Sequence, residues 1–160
     1  MIWKVFAAIA LMLMPAAAAL AEGGVQGEID VEIMIGRTEV MHDQTARGLA
    51  LLGVRQASPD GEQFLPADPG RTQYSRLSDA VVRYNNLHDL ACGSRVISHP
   101  VCQRQRFMPP WFGNGARPDI SPNGLRRMAE DMQGETVPLW SAVCERAVAR
   151  SGDKDFCAIE

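Results

Sequence analysis

The sequence predicts a mainly α single domain stapled by two disulfides, with a short β element near its N-terminus. Three observations lead there. The chain opens on an export leader. Four cysteines follow it, all in the C-terminal half. Between and around them run apolar residues at three- and four-residue steps, the spacing of a helix face.

Met1 to Ala21 carries one charge, Lys4, ahead of an apolar run from Val5 to Leu20, and ends in Ala19-Leu20-Ala21. That is the build of a signal peptide cut before Glu22. The run is too short and Ala-rich for a membrane span, and no later segment is as apolar. Residues 22–160 are then one exported domain, periplasmic or extracellular, of ordinary domain size. Residues 22–71 read as mixed and irregular and 72–160 as helical. In an oxidising compartment Cys92, Cys102, Cys144 and Cys157 pair. Three pairings are open. The favoured one is local, Cys92–Cys102 with Cys144–Cys157, and the crossed Cys92–Cys144 with Cys102–Cys157 is the main rival.

Each element has its own signal. Glu28 to Ile33 alternates acid and aliphatic residue, the period of a half-buried strand reaching about Ile35. Residues 38–53 fit either a helix, capped by Thr38 and faced by Met41, Thr45, Leu49 and Leu52, or a buried strand at 49–52. Ser58-Pro59-Asp60-Gly61 is a turn sequence around which 49–57 and 62–65 could pair as a hairpin. The clearest helix runs from about Thr72 to Ala91, with Tyr74, Leu77, Val81, Tyr84, His88 and Ala91 on one face and Gly93 just past its end. Residues 92–120 hold four prolines and no periodicity. Ser121-Pro122 opens a second helix, which Gly134 closes. Thr136 and Pro138 open a third, with Leu139, Val143, Cys144 and Ala147 inward.

The whole chain carries a net charge of −3, and loss of Lys4 with the leader takes it to −4. A mildly acidic domain gives no case for nucleic-acid binding. The charge is uneven. Residues 22–43 hold six acids against Arg37, whereas 83–127 hold seven arginines against two aspartates. Either the acidic start folds beside the basic middle, or the middle faces an anionic partner.

No catalytic, cofactor or metal residues are assigned. There is no G-x-S-x-G, no phosphate-cradling glycine loop and no metalloprotease helix motif. His42 and His88 each precede an aspartate, but neighbours on a helix point apart. His88, Cys92, His99 and Cys102 are donors of the kind zinc accepts, yet their spacing is not that of a common zinc module and oxidation competes for both thiols. Glu130, Asp131 and Glu135 are acids beside the long loop, and they carry the alternative of a small envelope-acting hydrolase with a carboxylate-based site.

The least ordinary stretch is 104–117. Arg104, Arg106, Phe107, Trp111, Phe112 and Arg117 form an aromatic and basic cluster of the composition found at binding hot spots, stiffened by Pro109 and Pro110. The same rings could instead lie across the helices as a lid on the core. The reading that follows is a binding or accessory protein rather than an enzyme. Its partner would be an envelope polymer, another exported protein or a subunit of its own kind, and the sequence fixes no oligomeric state.

Overall fold

The computed structural model describes residues 16–54, 69–112, 115 and 117–158. Three helices pack against one another in this part of the chain: α1 (Ala16–Leu51), α2 (Pro69–Gly93) and α3 (Pro122–Ser151). Short 3₁₀ turns at Pro100–Gln103 and Asp155–Cys157 complete it. The fold is mainly helical, with two disulfides. Among the described residues there is no strand, and no helix is long and apolar enough to cross a membrane.

The helices number three, but they are placed differently from the expectation. Residues 28–35, read as a strand, lie inside α1. The alternation there is real, but the longer pattern decides. Val31, Ile35, Thr38, His42, Thr45 and Leu49 recur at steps of four and three and are all buried. That stripe has the period of a helix, and a strand would break it after three residues. Thr38 is therefore no cap: mid-helix, its hydroxyl donates to the Met34 carbonyl at 2.9 Å. Residues 49–51 end α1 instead of starting a hairpin. The turn at 58–61 and its second arm lie outside the described residues, as do residues 1–15.

The two helices expected after Ser121 are one. Ser121 caps α3 as its sequence implies, accepting from the Gly124 amide at 3.2 Å, with Pro122 at the first helical position. The helix then runs through Gly134, Thr136 and Pro138 to a left-handed Gly152 at φ +76°. Proline inside a helix removes one amide and crowds the carbonyl four residues back. Here that residue is Gly134, which has no side chain to add to the crowding. The inward stripe of Leu125, Met128, Met132, Thr136, Leu139, Val143 and Ala147 continues through the proline unbroken. Burying that stripe outweighs a cost of ~3 kcal/mol.

Charge fixes the helices laterally. Arg76 of α2 reaches Glu39 of α1 at 2.7 and 2.9 Å and also pairs with Glu32, two turns earlier. Arg126 of α3 meets Asp30 of α1 at 2.6 Å. The acidic start thus lies beside basic residues of the later helices. Close packing of α1 on α3 is set by Gly48, where a Cβ would fall 2.8 Å from Val143 Cγ1.

Candidate functional site

The long connection from α2 to α3 folds back along the helices. Gly93 and Ser94 leave α2, and the Val96 amide returns to the Ala91 carbonyl. Cys102 is bonded to Cys92, with Cα atoms 5.4 Å apart. The buried His88 ring donates from Nε2 to the Val101 carbonyl at 3.1 Å, which fixes the proton on Nε2 because a carbonyl only accepts. His99 Nδ1 accepts from the Val101 amide at 3.2 Å. Of the four zinc-type donors, the two sulfurs are therefore bonded to each other and both rings serve this turn. Among the described residues no three His, Cys, Asp or Glu side chains converge as a metal site.

From Cys102 the loop crosses α2 towards its N-terminal end. Asn85 holds it at the midpoint. Its amide donates to the Phe107 carbonyl at 3.0 Å, and its oxygen accepts from the Phe107 amide at 2.7 Å. Phe107 sits edge-on to buried Tyr84 at 6.1 Å. Trp111 sits edge-on to Tyr74 at 6.1 Å and donates from Nε1 to Asp131 of α3 at 3.3 Å. Phe107 and Trp111 both pack against the core cluster. These two rings are the lid. Phe112 is half-buried, edge-on to Trp111, and the tight turn under it closes from the Phe112 amide to the Pro109 carbonyl at 3.0 Å.

The arginines are largely engaged within the fold. Arg104 pairs with Glu135 at 2.6 Å and Arg106 with Asp89. Arg127 pairs with Asp119 at 2.9 Å, and Arg83 stands 3.9 Å from Asp43. With Arg126, five of the seven arginines of the basic middle face an acid. Arg117 is exposed and faces no acid among the described residues. The expected site residues are thus brought into one strip but divided in role. Phe107 and Trp111 anchor it, Arg104 and Arg106 brace it to α3 and α2, and Phe112 and Arg117 stay on the rim. Met108, absent from the sequence-based set, is the most exposed large apolar residue described, at 68%. Its signal was its place between two anchors, Phe107 and Pro109, which turn it outward. Asn85 was also missed, because nothing in a helix pattern tells which polar residue will meet a distant loop.

Two of the three hydrolase candidates hold the loop. Asp131 accepts from Trp111, Glu135 pairs with Arg104, and Glu130 is exposed. Glu135 also lies near Tyr84, whose phenol is pushed up to about 12, first by burial and then by that carboxylate's charge.

A second constellation is internal. His42 of α1 is 2% exposed, with Nε2 3.3 Å from Thr136 Oγ1 of α3 and, among the described residues, no partner for Nδ1. Burial first, and the Arg83 charge second, hold its pKa down to about 4 against a small opposing pull from Glu39. The ring is neutral at pH 7 and enclosed by all three helices.

The Asn85 contact gives a direct prediction. Asn85→Ala removes both bonds to the Phe107 peptide and leaves two backbone groups unmatched. The expected cost is ~1–3 kcal/mol. Hydrogen exchange followed by mass spectrometry should show faster exchange in 105–112, with α1 unchanged at the same denaturant distance from the midpoint.

Comparison with known proteins adds no relative: no family model, curated protein or solved structure matches the chain.

Proposed function

We propose that this chain is an exported, disulfide-stapled binding or accessory protein of the cell envelope, and that it contacts its partner through the rim of the 104–117 loop. Two disulfides closing short loops support an oxidising compartment, in keeping with the leader and its cut before Glu22. The observation that carries the reading of the loop is Met108. An unbranched apolar side chain stands in solvent on a backbone clamped on both sides by Asn85, Phe107 and buried Pro109. Holding a loop rigid while presenting an apolar side chain lowers the entropy lost on docking. Phe112 and Arg117 extend the rim with a ring and an exposed cation. The partner's face would be apolar at its centre with an acid or phosphate beside it, as on an envelope polymer or another exported protein.

The test uses surface variants and spares the anchors. Immobilised oxidised protein is presented to envelope extract, beside Met108→Asp and Arg117→Glu. One component should be retained by the native protein and lost by both variants, with all three proteins melting within ~2 °C of each other. Equal retention by the variants would remove the rim from the binding surface. Trp111→Ala is a poor probe, because that ring packs on the core and its loss unseats the whole loop.

A further inference from the structure

Met108 stands apart by its chemistry as well as its exposure. Sulfur is the first target of two-electron oxidants such as hydrogen peroxide, and thiolates react ahead of thioethers. This chain offers no thiol, because Cys92, Cys102, Cys144 and Cys157 are all held in disulfides. The oxidant is left with methionine. Five methionines follow the predicted cut before Glu22. Met41, Met128 and Met132 are 5%, 3% and 0% exposed, and Met34 is half-buried against the core. Met108, at 68%, is the exception.

The backbone fixes that exposure. Asn85 grips the Phe107 peptide with two bonds, Phe107 sits edge-on to Tyr84, and Pro109 is buried. With the residue on either side turned inward, the Met108 thioether stays in solvent. The same arrangement makes oxidation harmless to the fold. A sulfoxide in a packed core is disruptive, since it puts a strong dipole where an apolar group was. At position 108 the new oxygen meets water, and the rings that anchor the loop keep their contacts.

We propose that Met108 is an oxidation site, through which peroxide switches off the rim of the 104–117 loop. The sulfur lone pair attacks one peroxide oxygen, and the S–O bond forms as the O–O bond breaks. Sulfur gives up two electrons. The second oxygen leaves as hydroxide and takes the proton from the first, so the products are sulfoxide and water. The apolar tip of the rim becomes polar. The effect on a partner rests on the reading of the rim as the binding surface, whereas the site itself does not. Methionine sulfoxide is enzymatically reducible, so the change can be undone.

The mature protein is exposed to hydrogen peroxide for increasing times, digested with trypsin and followed by mass spectrometry. Met34, Met41, Met108 and the pair Met128 and Met132 fall in separate peptides, 22–37, 38–47, 107–126 and 128–146. Peptide 107–126 should gain one oxygen at least about tenfold faster than any of the others, and protein oxidised there should melt within ~2 °C of untreated protein. Protein half-oxidised at Met108 is then passed over immobilised envelope extract. Sulfoxide at position 108 should be concentrated in the unbound fraction and depleted from the retained one. Equal rates for 107–126 and 128–146, or a loss of several degrees on oxidation at Met108 alone, overturn the site. Equal sulfoxide in the two fractions overturns the switch. If no protein is retained, treated or untreated, the binding reading is what fails, and the peptide rates alone decide the site.

Discussion

Acidification from pH 7 to pH 4 is expected to remove about 3 kcal/mol of stability through His42 alone. The ring is buried between α1, α2 and α3 and held neutral, with its pKa lowered from 6.5 to about 4. In the unfolded chain it takes up its proton near pH 6.5, and in the folded protein only near pH 4. Between those values the unfolded state binds more protons, so stability falls as pH falls. The contribution is complete above pH 6.5, declines by ~1.4 kcal/mol per unit below it, and is flat again below about pH 4. Arg83 from α2 enlarges the effect by carrying the folded pKa lower, because a charged ring would stand beside another cation, while Glu39 on α1 reduces it. Thr136 from α3 contributes a hydroxyl and no charge. Urea unfolding at pH 7.5, 5.5 and 4.0 should therefore show a falling midpoint in the native protein. His42→Gln keeps a donor near Thr136 and cannot titrate here. Carboxylates common to both proteins cancel in the difference, so the gap between the two profiles isolates the histidine. Parallel profiles would mean that the ring is already solvated.

The second large effect concerns the disulfides. Cys92–Cys102 and Cys144–Cys157 close loops of 10 and 13 residues. In the chain-entropy model each is worth about 3 kcal/mol. Replacing either pair by alanine should lower the melting temperature by on the order of 10 °C. The consequences differ in place. Cys144–Cys157 returns the tail to α1, where the Phe156 ring lies over Gly48 and the Ala158 carbonyl accepts from Gln44 Nε2 at 2.9 Å. The same Gln44 accepts from Trp140 Nε1 at 3.2 Å, so one amide ties tail, α1 and α3 together. Lys154 is already exposed, so cutting this bridge should free the tail backbone around it and speed tryptic cleavage there under native conditions. Cutting Cys92–Cys102 should instead loosen the turn that His88 holds at Val101 and spare the tail. Calorimetry with limited proteolysis distinguishes the two. A change of under 2 °C in both variants would mean that the crosslinks add nothing to the packed helices.

The parts of this fold legible in sequence are those written in one uninterrupted local signal. The stripe from Tyr74 to Ala91 gives α2 to within three residues at either end. Ser121-Pro122 gives the start of α3 to the residue, and short cysteine spacing favoured the pairing found. Errors arose where a local signal competed with a longer one. Six residues of acid–aliphatic alternation at 28–33 outweighed a helical stripe that becomes plain only when followed to Leu49. Gly134, Thr136 and Pro138 read as punctuation, although the apolar stripe passes straight through them. The loop was legible as unusual, but its division of labour was not. Whether Phe107 and Trp111 anchor or bind depends on Tyr84, Tyr74 and Asn85, which meet them only across the folded helices. The basic middle likewise lost much of its force as a binding signal once Arg104, Arg106, Arg126 and Arg127 were seen against Glu135, Asp89, Asp30 and Asp119.

The central claim is an exported helical domain closed by two local sulfur bridges, and one mass-spectrometric experiment addresses it. The protein is recovered from the envelope or medium of its own cells, alkylated without reduction and digested with trypsin. The expected products are an N-terminal peptide beginning at Glu22, peptide 84–95 joined to 96–104, and peptide 128–146 joined to 155–160. Retention of Met1, alkylated cysteines, or a bridge between 84–95 and 128–146 would contradict it.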